Sequence, residues 1–184
     1  MSIKLQDIPS STNLDLTDKF LVSDGTSEHL VTAETLLGHM NVMFQGTTSG
    51  SQTIPGDAYM YKKALITNGV EVPAGGSGME ISSGGIKVSA TGSYRITASL
   101  YLSTNANPNG VYVFYGTSFT DGPGGSTGAT ELCGIYTDAP KASLKQVIGV
   151  VQDVPANTIF WIVARSSTTS STASNGFLLV ERLS

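Results

Sequence analysis

Short apolar segments with a period of two run through most of this chain, and Gly, Pro, Asn and Ser residues interrupt them. Because successive side chains of a strand point to opposite faces, this period is typical of β-strands. The chain beyond residue 52 has no segment with the 3.6-residue period of a helix. The pattern predicts an all-β antiparallel sandwich with strands at 57–68, 79–82, 85–90, 92–103, 111–119, 131–137, 143–153, 158–167 and 176–183.

The segment 92–103 has the pattern of a strand with one buried face. Its apolar side chains alternate with polar ones, so one side is expected to face the core and the other to face water. The residues expected in the core are Tyr94, Ile96, Ala98, Leu100 and Leu102.

Three other predicted strands carry large apolar side chains on both faces. Leaving the second face in water would cost about 1.5–3 kcal/mol per large side chain and would create an unusually large apolar patch. We therefore expect identical subunits to associate through this sheet; the alternative is that the chain's own loops, or residues 1–52, cover it. The residues predicted to form core and subunit contacts are Tyr59, Tyr61, Phe160, Trp161, Phe177 and Leu179.

The charge of the chain is concentrated at its N-terminus. Residues 1–45 contain two basic and six acidic residues and so carry the whole net charge of −4, whereas the remainder holds eight of each. Asp24-Gly25 between two apolar runs predicts a small hairpin, and Thr32 as an N-cap predicts a short helix after it. We expect a docking segment at 1–45 that orders only against a partner, a flexible linker at 46–52 and a β domain at 53–184.

The sequence offers no catalytic, cofactor-binding or metal-binding constellation. The β domain has no histidine to activate a nucleophile, and Cys133 is predicted to be a small buried apolar residue. His29 and His39 lack neighbours that would complete a metal site. A carboxylate pair for glycoside cleavage and an ion shared between subunits remain open. We expect neither an enzyme nor a cofactor.

Composition also argues against two kinds of partner. Binding of nucleic acid needs clustered Lys and Arg, and only Lys62 and Lys63 are adjacent. The chain has no run of about 18 apolar residues and no signal peptide, so neither membrane insertion nor export is expected.

Two polar loops, 104–110 and 121–128, are candidates for contact with a carbohydrate or a protein. The alternative is that they are solvated loop tips. The candidate contact residues are Asn105, Asn107, Asn109, Tyr115 and Asp121.

The segment 85–98, with Thr91-Gly92-Ser93-Tyr94 at its centre, resembles a signature of the tumour-necrosis-factor and complement globular-head jelly rolls. The segments 111–114 and 141–162 resemble later strands of the same family, and 174–179 resembles its closing strand, with Ala173 where the family often has an aromatic residue. The resemblance covers about 130 residues. It implies a ten-stranded jelly roll that forms a homotrimer through the first, last and intervening strands of its inner sheet.

The N-terminal stretch is similar to a different group of proteins. The segments 5–14, 18–26 and 30–36 resemble the short leader of bacteriophage virion fibres and head-decoration proteins. This resemblance implies a leader that attaches a trimeric appendage to a phage capsid or tail protein. The predicted docking residues are Phe20, Leu21, Val22, Leu30, Leu36 and Leu37.

Together with the apolar patterns, the two resemblances imply a structural component of a phage virion, assembled in the host cytoplasm, which is a head fibre, a head decoration or a tail appendage. The alternative is a host receptor-binding adhesin whose head loops recognise a surface glycan or protein. A third reading, an extracellular signalling domain, would require an export route.

Overall fold

The computed structural model describes residues 19–23, 28–32, 42–56, 60–72, 78–103, 109–123, 128–137, 142–166 and 170–183. The chain divides into two compact units, Met1–Met40 and Asn41–Ser184. Within the described part of the chain, no helix is long and apolar enough to cross a membrane.

The first unit contains a β-hairpin. Strand β1 (Lys19–Ser23) pairs with β2 (Glu28–Thr32) in an antiparallel register that places Phe20 opposite Val31 and Leu21 opposite Leu30. The hairpin predicted around Asp24-Gly25 is therefore confirmed. The short helix predicted after Thr32 lies outside the described residues.

The second unit is a sandwich of two sheets whose paired strands all run antiparallel. Its strands are β3 (Val42–Thr48), β4 (Gln52–Ile54), β5 (Met60–Ala64), β6 (Ile66–Val72), β7 (Met79–Ser82), β8 (Gly85–Val88), β9 (Gly92–Leu102), β10 (Asn109–Gly116), β11 (Gly122–Pro123), β12 (Ala129–Thr137), β13 (Ser143–Val154), β14 (Ile159–Ser166) and β15 (Ser171–Arg182).

One sheet has six strands and the other has seven. The six-stranded sheet has the order β13-β9-β15-β3-β6, with β4 paired to the early part of β15. The seven-stranded sheet has the order β11-β5-β14-β10-β12, and the β7–β8 hairpin joins it through β14.

The core lies between the two sheets, and β9 shows how the sequence produces it. The five alternating apolar residues predicted to face the core are all buried, with exposed fractions of 0–1%. The ring of Tyr94 lies 5.8 Å from that of Phe160 on the opposite sheet, and its hydroxyl donates a hydrogen bond to Ala90 O. The all-β antiparallel sandwich is confirmed.

The predicted linker at 46–52 is wrong. Residues up to Thr48 belong to β3, which pairs with β15 on one side and β6 on the other, and Gln52 already belongs to β4. Gly46 is buried in the sandwich, where an added Cβ would lie 2.5 Å from Ile66 Cγ2. Glycine is present here because packing leaves no room for a side chain.

The strand predicted at 57–68 also differs from the structure. It divides at Leu65 into β5 and β6, which belong to different sheets. Together with the short strands β4 and β11, this division gives the sandwich more strands than the ten that the resemblance implied.

Candidate functional site

The outward face of the six-stranded sheet carries the main exposed apolar surface of the sandwich. Four cross-strand rows lie on this face, and aliphatic or aromatic residues occur in every one of them. We call this surface the apolar sheet face; its members are Met43, Val70, Tyr101, Leu144, Ile148, Val150, Phe177 and Leu179.

Strand β13 forms one edge of this sheet and exposes three aliphatic side chains. Leu144 and Ile148 are each 62% exposed and Val150 is 55% exposed. The intervening residues Lys145 and Val147 point inward and are buried, at 4% and 7%. Burial lowers the pKa of Lys145 below its ordinary value. The strand thus presents mainly aliphatic side chains to water, with Gln146 between Leu144 and Ile148, whereas solvated edge strands usually carry charged residues.

A bulge in β15 places Phe177 and Leu179 on the same face. The register of β15 against β9 shifts between Ser174 and Phe177, where Asn175 has a φ of 51°. Gly176 N donates a hydrogen bond of 2.8 Å to Thr48 Oγ1 within the bulge. Because the extra residue reverses the alternation, Leu178 enters the core while its two neighbours face outward.

One ion pair lies at the border of the apolar sheet face. Arg95 on β9 lies opposite Glu181 on β15 and donates two hydrogen bonds to Glu181 Oε2, the one from Nε measuring 2.9 Å. The Glu181 side chain is 4% exposed, whereas that of Arg95 is 51% exposed. The pair therefore leaves a positive group at the surface, beside Val150 and Met43 in the same row.

The side chains of the apolar sheet face are suited to contact with another protein surface. Its exposed aliphatic groups alternate with polar residues, among them Gln146, Thr97 and Gln45, its centre holds two half-buried apolar residues, and the Arg95–Glu181 pair lies at its border. A surface that exposes several large apolar side chains and has a polar border is typical of a protein–protein interface.

The structure places the predicted core and subunit-contact residues in two different sheets. Phe177 and Leu179 lie on the apolar sheet face, but Tyr61, Phe160 and Trp161 belong to the seven-stranded sheet. The expectation that one sheet carries all three doubly apolar strands is therefore wrong. Tyr59 lies outside the described residues.

The outer face of β14 is covered by the chain itself. Trp161 is 0% exposed, and it packs with Tyr112, Phe114, Phe119, Ile159 and Val163 in a second apolar cluster outside the sandwich core. Burial of Trp161 thus requires no second subunit, which is the alternative that the sequence left open.

The exposed residues of β13 were missed at the level of sequence. Residues 144–151 contain apolar side chains in both phases of the alternation, Leu144, Ile148 and Val150 in one and Val147 and Val151 in the other. The criterion that identified β14, apolar side chains on both faces of a predicted strand, also applies to β13.

Three of the five predicted ligand-contact residues lie in the described part of the chain. Asn109 is 0% exposed and begins β10, whereas Tyr115 lies near the other end of that strand and stacks on Phe160 at 6.1 Å. Asp121 Oδ1 accepts a hydrogen bond of 3.0 Å from Lys63 N. Asn105 and Asn107 lie outside the described residues, so the loop-based ligand site stays a prediction.

The remaining predicted residues belong to the N-terminal unit or to β12. Phe20, Leu21, Val22 and Leu30 lie in the β1–β2 hairpin, and Leu36 and Leu37 lie outside the described residues. Cys133 is half-buried against the core, and burial raises its pKa above the ordinary value, as expected of an unreactive thiol. Among the described residues, His, Cys, Asp and Glu form no group of three suited to a metal ion.

Comparison with known proteins gives a likeness in fold. No family model and no curated protein matches the sequence. Murine APRIL in its crystal structure at pH 8.0 is similar, with a TM-score of 0.56 and 14% identity over 78% of this chain and 99% of that one. Eiger TNF from S. frugiperda is similar with a TM-score of 0.52 and 13% identity, over 78% and 92% of the two chains. This chain therefore has the TNF-like jelly-roll fold.

Proposed function

We propose that this protein is a homotrimeric structural component of a phage particle, which docks through its N-terminal segment and displays the jelly-roll sandwich. The apolar sheet face is the observation that carries the proposal. The leader-like segments within residues 5–36 support the place of the trimer on a virion.

Self-association follows from the energetics of the apolar sheet face. Leu144, Ile148 and Val150 are more than half exposed, and fully burying a side chain of this type contributes about 1.5–3 kcal/mol. The face includes β3, β9, β13 and β15, which are the first, intervening and last strands of one sheet. The resemblance to trimeric jelly rolls favours three copies that meet at these strands.

The mass of the full chain in solution tests this association. Sedimentation at micromolar concentration is expected to give three times the chain mass of 19.1 kDa. Ile148→Asp is expected to give a folded monomer because it places a charge among the exposed aliphatic side chains of β13 that the interface would bury. Leu65→Asp is the matched control, because Leu65 is 45% exposed but lies between β5 and β6 and is not a member of the apolar sheet face. A monomeric wild-type chain would refute the trimer.

A trimer increases the overall affinity of docking through the N-terminal unit. Three leaders on one trimer attach at linked sites, so the second and third attachments occur at high effective concentration. Weak individual contacts by the β1–β2 hairpin are then sufficient.

Removal of residues 1–40 tests the docking role, and the cut follows the boundary between the two units. The shortened chain is expected to remain trimeric, with three times its own reduced mass, and to lose co-sedimentation with purified virions. In the full chain, Leu21→Asp in β1 should weaken co-sedimentation, whereas Ser23→Asp at the end of that strand should not. Undiminished co-sedimentation of the shortened chain would contradict docking while leaving the trimer intact.

A further inference from the structure

On the outer side of the seven-stranded sheet, the guanidinium of Arg165 lies over two tyrosine rings. Its Cζ is 5.5 Å from the ring centroid of Tyr61 and 5.6 Å from that of Tyr136. Gly110 of β10 pairs with Arg165 on one side and with Tyr136 on the other, so the cation and its second ring belong to one cross-strand row. We call Arg165, Tyr61, Tyr136 and the neighbouring Tyr112 the arginine platform.

Tyr112 forms the base of the arginine platform. An added Cβ would lie 2.7 Å from the Tyr112 ring at Gly110 and 2.2 Å from it at Gly134, so the ring occupies the space above two glycines. The ring also lies 5.4 Å from that of Tyr61. The two glycines thus allow a large aromatic ring to lie close to the sheet, beneath the cation.

Arg165 is charged, and no described residue neutralises it. Burial lowers the pKa of Arg165, but its charge interaction and hydrogen bond with Tyr61 raise that pKa above the ordinary value. Its Nε is buried and has no hydrogen-bond partner among the described residues. The carboxylates of Glu80 and Glu181 pair with Lys87 and Arg95 instead.

The way in which the Arg165 guanidinium is held determines which ligand groups it can bind. The rings of Tyr61 and Tyr136 limit the movement of the planar group. Because Nε is buried and one hydrogen bond goes to Tyr61, the donors left for a ligand are N–H groups on the Nη atoms. Two parallel N–H donors match the two oxygens of a carboxylate. A guanidinium held in place by packed rings also loses little rotamer freedom when it binds.

The exposed ring of Tyr136 adds a second contact. Tyr136 is 44% exposed, so part of its ring is available beside the cation. The negative face of an aromatic ring attracts the weakly positive C–H groups of a sugar ring. We propose that the arginine platform binds the carboxylate of an acidic sugar, whose ring packs on Tyr136.

The charge balance favours this ligand over a polyanion. Residues from 46 onward hold eight basic and eight acidic residues, and the platform contributes a single cation. A phosphate backbone requires several clustered cations, whereas one carboxylate requires one. This proposal goes beyond the structural role proposed above and does not depend on the trimer.

The test uses two sugars that differ only in the carboxylate. Saturation-transfer difference NMR on the full chain compares methyl β-D-glucuronide with methyl β-D-glucoside at equal millimolar concentration. The glucuronide is expected to give a signal at least fivefold stronger, greatest on the C–H groups of its ring. Acetate at a tenfold higher concentration should reduce that signal by less than half, because it lacks the sugar contact.

Substitutions in the arginine platform test whether the NMR signal of the glucuronide arises there. Arg165→Gln should abolish it, and Arg165→Lys should lower it at least fivefold, because an ammonium group lacks the planar fork. Tyr136→Ala should lower it severalfold and provides a second variant if those at Arg165 prove unstable. Lys87→Gln removes a cation elsewhere on the chain and should leave the signal unchanged. An equal response to the two sugars, full displacement by acetate, or an unchanged signal in Arg165→Gln would overturn the proposal.

Discussion

The ring of Phe119 packs against the ring of Trp161, with 5.7 Å between their centroids. Lys63 holds this arrangement in place: its Nζ donates a hydrogen bond of 3.0 Å to Phe119 O and lies 5.7 Å from the Phe119 ring. The segment after β10 therefore folds back over the outer face of the seven-stranded sheet. Because this cover comes from the chain itself, the two sheets of the sandwich have different outer surfaces, and the six-stranded one leaves the large aliphatic groups of its edge strand β13 exposed.

Phe119→Ala is expected to destabilise the sandwich by about 3 kcal/mol, because it removes a 94%-buried aromatic side chain from the second apolar cluster. Trp161 is the single tryptophan of the chain, so its fluorescence reports on this site alone. We expect its emission to shift to longer wavelength and the urea midpoint to fall. Phe119→Leu, which keeps an apolar cover, should show a smaller change in both, and the sedimentation coefficient should not change in either variant.

The sequence allowed the core to be predicted where one strand carries one clear alternation. In β9 every predicted core residue is buried, because a period-two pattern determines which face is apolar. It did not allow the assignment of a doubly apolar strand to a sheet. Phe160 and Phe177 follow the same local pattern, yet one lies in the core and the other lies on an outward face.

Two further features depend on tertiary packing, which a local pattern does not record. The bulge at Asn175 reverses the alternation within β15, and Gly46 looks like part of a flexible coil although it is buried. The arginine platform combines residues from four strands, β5, β10, β12 and β14. No spacing along the chain marks them as neighbours.

The ion pair between Arg95 and Glu181 is expected to show strong coupling in a double-mutant cycle. Arg95→Ala leaves a carboxylate that is 4% exposed without its partner, which should cost about 2 kcal/mol. Glu181→Gln in that background should recover part of the loss, since it removes the buried charge. Urea unfolding of the wild type, both single variants and the double variant measures the coupling. Additive effects would show that the pair contributes nothing to stability.

The stability of the protein is expected to fall at alkaline pH through Tyr112. Burial, followed by its proximity to Tyr61, raises the pKa of Tyr112 to about 12 from its ordinary value of 10.0. Between these values the unfolded chain loses this proton and the folded chain keeps it, so the folded state binds more protons and stability decreases as pH rises. The loss from this group should reach about 2 kcal/mol near pH 12.

Tyr112→Phe isolates this contribution. The variant should lose less stability than the wild type between pH 10 and 12, in thermal unfolding followed by circular dichroism. Absorbance titration at the tyrosinate band should show one fewer late-titrating group. Parallel decline of both proteins across that range would contradict the assignment to Tyr112.

Gly134→Ala is expected to displace the ring of Tyr112 and so disturb the base of the arginine platform. A Cβ at this position would lie 2.2 Å from Tyr112 Cδ1 and 2.8 Å from its Cε1, which is far inside van der Waals contact. The ring must move outward and leave its contacts with Tyr61 and Phe114, so the free energy of unfolding should fall by about 1–3 kcal/mol. The titration of Tyr112 should also move toward ordinary tyrosine values as burial decreases.

Gly122→Ala is the matched control, because an added Cβ there meets nothing within 4 Å. Equal urea midpoints for the two alanine variants would show that the Tyr112 ring is not held against Gly134.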